Sequence, residues 1–130
     1  MRLLLDTHAW IWTLTDRERL STQAAEAIED PGTQLWLSPV SVWEALLLLQ
    51  RGRFGVDGEP EDWVRARLRG FPIQDAPLTR EVAIASRTID LEHEDPADRF
   101  IAASAMVHDL TLLTADSLLL SSDVIRTMAA

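Results

Sequence analysis

The chain contains no cysteine and no lysine. The first absence excludes disulfides, thiolate zinc sites and thiol nucleophiles, and it fits a reducing compartment. The second means that all twelve basic residues are arginine, the side chain whose planar fork suits phosphate best. Long apolar runs are missing too. The longest, Ala45 to Leu49, falls far short of the ~20 residues that span a bilayer. The opening segment reaches a carboxylate at Asp6, so it does not read as a secretory leader. Nor is there a glycine-rich phosphate loop, a serine–histidine–acid set or a zinc-spaced cluster. His8, His93 and His108 lack ligand spacing and read as solvated or capping residues. A soluble, cytoplasmic protein without a membrane segment is the expectation.

What is present is acid. Twenty-one Asp and Glu residues against twelve arginines give a net charge of −9, which by itself argues against a nucleic-acid partner. Acid gathered around a divalent ion would change that meaning, because the bound cation reverses the local sign. The length of 130 residues, 47% of them hydrophobic, predicts one domain over positions 1–130 with one packed core.

Along the chain, strands and helices alternate. Residues 2–5 read as a buried strand ending at Asp6, followed by a helix from Thr7 to about Leu14. A second helix covers 21–30, with Ser21 as N-cap and Pro31-Gly32 as stop. Gln34–Ser38 is a strand, and Pro39 opens a helix to Gln50 that Gly52 ends. Helices are expected over 60–69, over 79–89 with Val82, Ala83 and Ile89 inward, and from Asp95 to His108. Strands are expected at 71–73, at 110–114 and at 124–128, with a helical start at Asp116. Such alternation predicts a parallel sheet covered on both faces, with ligands outside the carboxyl ends of its strands.

Four acids stand out by position. Asp6 and Asp116 follow the two most apolar strands, Asp98 lies in a first helical turn, and Glu44 interrupts an apolar helix. Singly, Asp6 and Asp116 read equally well as helix caps and Asp98 as a partner of the helix dipole. Glu44 is costly to bury unless paired or coordinating a metal. Together the four can form an oxygen-rich site for a hard divalent cation, which activates water and stabilises both oxygens of a phosphodiester displacement.

The order of these motifs resembles the PIN-domain family. Leu3-Leu4-Leu5-Asp6-Thr7-His8 is similar to its opening strand and acid, and Ser38-Pro39-Val40-Ser41-Val42-Trp43-Glu44 to its second acidic motif. Asp95-Pro96-Ala97-Asp98-Arg99-Phe100-Ile101-Ala102-Ala103 is similar to the third and most distinctive motif, and Leu112-Leu113-Thr114-Ala115-Asp116 to the fourth. The resemblance spans nearly the whole chain. It implies an α/β/α sandwich on a parallel five-stranded sheet, and Mg²⁺- or Mn²⁺-dependent endoribonuclease activity. It makes Asp6, Glu44, Asp98 and Asp116 the catalytic and metal-binding set. Thr7 and Thr114 are expected as supporting residues, Asp95 as a cap, and Arg99 as an RNA contact. Small free-standing members of VapC type further imply a homodimer, an RNA substrate and a VapB-type antitoxin. For the five tryptophans, core packing is expected of at least three, with Trp10, Trp12, Trp43 and Trp63 as candidate partner surfaces. Two alternatives stand beside this reading. One is a non-catalytic PIN-like binding module; the other is an aspartate-based phosphatase or receiver domain, which the missing lysine disfavours.

Overall fold

Leu3, Leu4 and Leu5 are all fully buried, which is why the first strand is an unbroken apolar run rather than an alternating one. The computed structural model describes residues 1–130. Its strands are β1 (Arg2–Leu5), β2 (Gln34–Leu37), β3 (Gln74–Asp75), β4 (Thr111–Thr114) and β5 (Thr127–Ala129). They form one sheet in the order β3-β2-β1-β4-β5, with every pair parallel. The helices are α1 (Thr7–Thr15), α2 (Thr22–Glu29), α3 (Pro39–Gln50), α4 (Pro60–Gly70), α5 (Arg80–Thr88), α6 (Pro96–Val107) and α7 (Ser117–Leu120).

Strand alternation divides the interior in two. Leu3, Leu5, Leu35, Leu37 and Leu113 join Trp10, Ala24, Ala45, Leu49 and Val64 on the face covered by α1 to α4. Leu4 and Leu112 join Ile101, Ala102, Ala105 and Leu119 on the face covered by α6 and α7. Side chains of one strand thus face opposite layers in turn, as the strand period of two requires. Helix α5 packs outside α6 through Val82, Ala85 and Ala103.

Helix boundaries follow local chemistry. Asp6, Ser21, Ser38, Thr79, Asp95 and Asp116 each place a side-chain oxygen on a first-turn N–H. Gly52, at φ 68°, ends α3 in the left-handed conformation. There Gly52 N–H donates to Leu49 O and Arg53 N–H to Leu48 O, closing the helix.

Three expectations need correction. The third strand lies at Gln74–Asp75, not at 71–73, because Pro72 has no N–H for the ladder. Ile73 N–H turns back to Phe71 O instead, and pairing with β2 begins at Gln74 opposite Trp36. The last strand begins at Thr127 rather than 124, since Val124 N–H is engaged by the Ser122 hydroxyl in a turn. Ala83 is exposed, and Ala85 and Ser86 take the inward places beside Val82 on α5.

Candidate active site: an acidic cleft

β1 is the central strand, and the chain leaves it for α1 on one face while β4 returns beside it. At such a reversal the loops diverge and open a crevice beyond the strand ends. The crevice here is a cleft of about 360 Å³ lined by Asp6, Glu44, Asp95, Asp98 and Asp116, with His8, Trp12 and Ala115 completing it. The sequence therefore delivers five carboxylates to one place from the ends of β1 and β4 and from α3 and α6. No arginine lines it.

Each acid is held differently. Asp6 is 6% exposed; one oxygen accepts Thr7 N–H at 2.7 Å and the other accepts the Thr114 hydroxyl at 2.7 Å. Burial raises its pKa, and the Thr114 and Thr7 hydrogen bonds only partly oppose that. Thr114 also accepts Asp116 N–H at 3.0 Å, so one buried hydroxyl ties both strand-end acids together. One Asp116 oxygen accepts Leu118 and Leu119 N–H as the cap of α7. Burial would raise its pKa, but bonds from His93 and from the Leu119 and Leu118 N–H groups outweigh this and lower it. Asp98 is pushed up to about 7 by burial, then by the charges of Asp6, Asp95 and Glu44, with His93 opposing. Glu44, half-buried, adds its charge from α3.

His93, read from sequence as solvated or capping, is instead at the centre of this arrangement. Its Nε2 lies 2.9 Å from Asp98 Oδ2 and 2.9 Å from Asp116 Oδ2, with the ring side chain 15% exposed. Asp95 N–H donates to its Nδ1 at 3.3 Å, which leaves the ring proton on Nε2, facing the two acids. Burial would lower its pKa, but the bond to Asp116 and the charges of Asp98, Asp116 and Asp95 raise it overall. Ligand atoms of His93, Asp98 and Asp116 lie within 4.8 Å of one another. Nothing in the spacing of His8, His93 and His108 marks it. Its position two residues before the Asp95 cap was the available signal.

The other expected residues fall out unevenly. Asp95 caps α6 through Ala97 and Asp98 N–H, as expected. Thr7 supports Asp6 through its N–H only, since its hydroxyl donates to Ser41 in the interior. Arg99, expected as an RNA contact, is turned inward. It is 8% exposed, and its guanidinium donates to Ser86, Leu91, His93 and Ile89 carbonyls at 2.8 to 3.1 Å. It ties down the loop that carries His93. Of the tryptophans, Trp10 is core, Trp12, Trp36 and Trp63 are partly buried against it, and Trp43 is 59% exposed.

The donor set suits a hard divalent cation. Hard cations take oxygen ligands, and clustered carboxylates near an effective dielectric of 20 repel by about 4 kcal/mol per pair at ~4 Å, so they need a countercharge. Fold and cleft together define an α/β protein with an acidic site at the switch point of a parallel sheet. Comparison with known proteins gives the family: a family model for the PIN domain matches residues 3–121, and the chain belongs to that family. It is 29% identical over 115 residues to Ribonuclease VapC22 of Mycobacterium tuberculosis, covering 88% of this chain and 86% of that protein. Among solved structures it is similar to VapBC2 from Rickettsia felis bound to a DNA fragment from their promoter, with TM-score 0.75, 10% identity and 99% and 98% of the two chains covered. VapBC-1 from nontypeable Haemophilus influenzae aligns with TM-score 0.70 and 19% identity over 99% of this chain and 98% of that one. No helix is long and apolar enough to cross a membrane.

Proposed function

We propose that the chain is a Mg²⁺- or Mn²⁺-dependent endoribonuclease, acting in the cytoplasm as the toxin of a VapBC-type toxin–antitoxin pair. The observation that carries this reading is the meeting of Asp6, Glu44, Asp98 and Asp116 in one cleft that no arginine neutralises. The similarity to Ribonuclease VapC22 and to VapBC complexes supports the substrate class and the antitoxin partner. A divalent cation held there supplies the positive charge that offsets an attacked phosphodiester and lowers the pKa of water.

The chain's own groups define how that site is built. Asp6 and Asp98 are its central ligands, with Glu44 and Asp116 completing the set directly or through water. Asp6 is locked in one rotamer by Thr7 N–H and the Thr114 hydroxyl, which fixes the direction of its remaining lone pairs. Asp98 and Asp116 share the His93 Nε2 proton, and this holds two repelling carboxylates side by side. As a catalyst the chain works as a homodimer of domains spanning residues 1–130, and exposed Trp43 on α3 is offered to a partner chain.

Purified protein incubated with RNA should cleave it when Mg²⁺ or Mn²⁺ is added and stop when the metal is chelated. Asp6→Asn, which removes a ligand charge while keeping shape, should abolish cleavage with the fold intact. Equal cleavage by variant and wild type would overturn the assignment. A metal-stabilised protein that cleaves no RNA would favour a binding module instead.

A further inference from the structure

A strand of RNA cannot be held by the acidic cleft alone, so the groove that adjoins it matters. That second groove, about 320 Å³, shares His8 and Trp12 with the acidic cleft and runs on past Arg19, Arg53 and Phe54. We propose that it binds the single-stranded RNA segment flanking the cleaved bond, with Trp12 as a stacking surface and Arg19 and Arg53 as phosphate contacts. The proposal rests on the nuclease reading above and adds where its substrate lies.

Three observations converge. His8 and Trp12 are four residues apart on α1, hence on one helix face, with ring centroids 6.1 Å apart. The stripe starts two residues beyond Asp6 and leads away from it, so a strand leaving the acids crosses these rings next. The Arg19 guanidinium lies 4.8 Å over the Trp12 ring, which places a cation and a π-face in one spot. That pairing of aromatic platform and basic groove is how single strands are bound without base readout.

Like Arg51, Arg67, Arg69, Arg80 and Arg87, Arg19 and Arg53 are exposed and outside every ion pair, but these two alone line the groove beside the cleft. Arg17, Arg65 and Arg126 are paired with Glu29, Glu61 and Asp109, and Arg2 and Arg99 are spent on carbonyls. Arg19 and Arg53 are exposed and have no carboxylate partner, although Asp16 also lines the groove. With two guanidinium groups outside any ion pair against one carboxylate the groove is basic, the reverse of the cleft it adjoins. A polyanion fits that polarity; an arginine-rich peptide does not.

The test measures binding apart from cleavage. On an Asp6→Asn background, a short fluorescein-labelled single-stranded oligoribonucleotide of mixed sequence is titrated by anisotropy in Mn²⁺ over a NaCl series. Arg19→Gln with Arg53→Gln should weaken binding and reduce the salt slope by about 1.4, since each phosphate contact on a single strand contributes about 0.7. Trp12→Leu should weaken binding roughly 5- to 150-fold, the loss of one stacked base, and Trp12→Phe should restore most of it. Trp12 is partly packed against the core, so a melting curve accompanies that variant. The arginines are exposed, so their substitution should leave the fold intact, and the same melting curve on that variant keeps the test decisive. If the arginine variant binds with unchanged affinity and slope while its parent binds RNA, the subsite is wrong and the nuclease reading stands. If the variant instead gains affinity for an arginine-rich peptide and keeps its RNA affinity, the groove is a peptide surface and the proposal is overturned. A parent that binds no RNA overturns both.

Discussion

Asp98→Asn should make the metal-free protein more stable, and by an amount that depends on pH. In the folded chain Asp98 is lifted from its ordinary 3.8 to about 7, chiefly by burial and by Asp6, Asp95 and Glu44. A carboxyl whose folded pKa is raised costs stability as it ionises. The unfolded chain releases the proton near 3.8 and the folded chain near 7, so stability falls across that window and levels off above it. At about 1.4 kcal/mol per pH unit the full penalty approaches 4 kcal/mol as a ceiling. The opposing charge of His93 is already contained in that value, and solvent screening of the partly exposed carboxyl discounts the ceiling to a net of roughly 1–3 kcal/mol above pH 7. Asparagine keeps an acceptor for His93 and carries no charge. For a chain of this size that gain corresponds to roughly 3–10 °C in melting temperature. The assay is thermal unfolding followed by circular dichroism in EDTA, from about pH 4 to about pH 8.5. The difference between variant and wild type should be near zero at the acid end and reach its plateau above about pH 7. Added Mn²⁺ should reverse the ranking, because the wild type then regains what the variant has lost, a ligand charge. A variant no more stable than wild type at the alkaline end in EDTA would refute the reasoning about an uncompensated acid cluster.

Mn²⁺ itself should raise the wild-type melting temperature, with a free-energy gain of about 2.7 kcal/mol at a hundredfold excess over Kd; no shift in a titrated melt would remove the cation site. Thr114→Val removes the hydroxyl shared by Asp6 and Asp116 at constant shape, and calorimetry should show Mn²⁺ affinity falling roughly 10- to 100-fold. Arg99→Ala frees four carbonyls around the His93 loop, and denaturant unfolding should record a loss of roughly 2–4 kcal/mol; intact stability with weakened RNA binding would return Arg99 to the substrate. Leu4→Ala opens a void between β1 and α6 and should cost roughly 2–5 kcal/mol by the same measurement.

The fold was readable where periodicity and capping agreed. The two strands that carry Asp6 and Asp116 are leucine-rich and buried on both faces, and most helices open on a Ser, Thr or Asp cap, so both signals pointed the same way. It was less readable at the sheet edges. β3 has only two residues, both exposed, and its place follows from Pro72 and from pairing with Trp36, not from hydrophobicity. Asp6 and Asp116 could be named because each ends an apolar strand and Glu44 because it interrupts an apolar helix, whereas Asp98 stood out only as a first-turn acid in the Asp95–Ala103 motif. His93 could not, because its partners come from α6 and from the loop after β4, twenty-three residues away in the case of Asp116. Arg99 misled for a related reason: sequence marks a guanidinium beside an acid, and only the path of the chain from the last turn of α5 to His93 shows that its donors are engaged by carbonyls.

β1 takes one neighbour from residues 34–37 and the other from residues 111–114. During synthesis, then, its second edge has nothing to pair with until residues 111–114 have left the ribosome. The hydroxyl that orients Asp6 and the acid that answers it arrive in that same late strand and the turn behind it. An interrupted translation product would carry Asp6, Glu44 and Asp98 with no lattice to bring them together, and so would be inert. The order of the strands in the sheet makes the acidic cleft a property of chains that extend past β4.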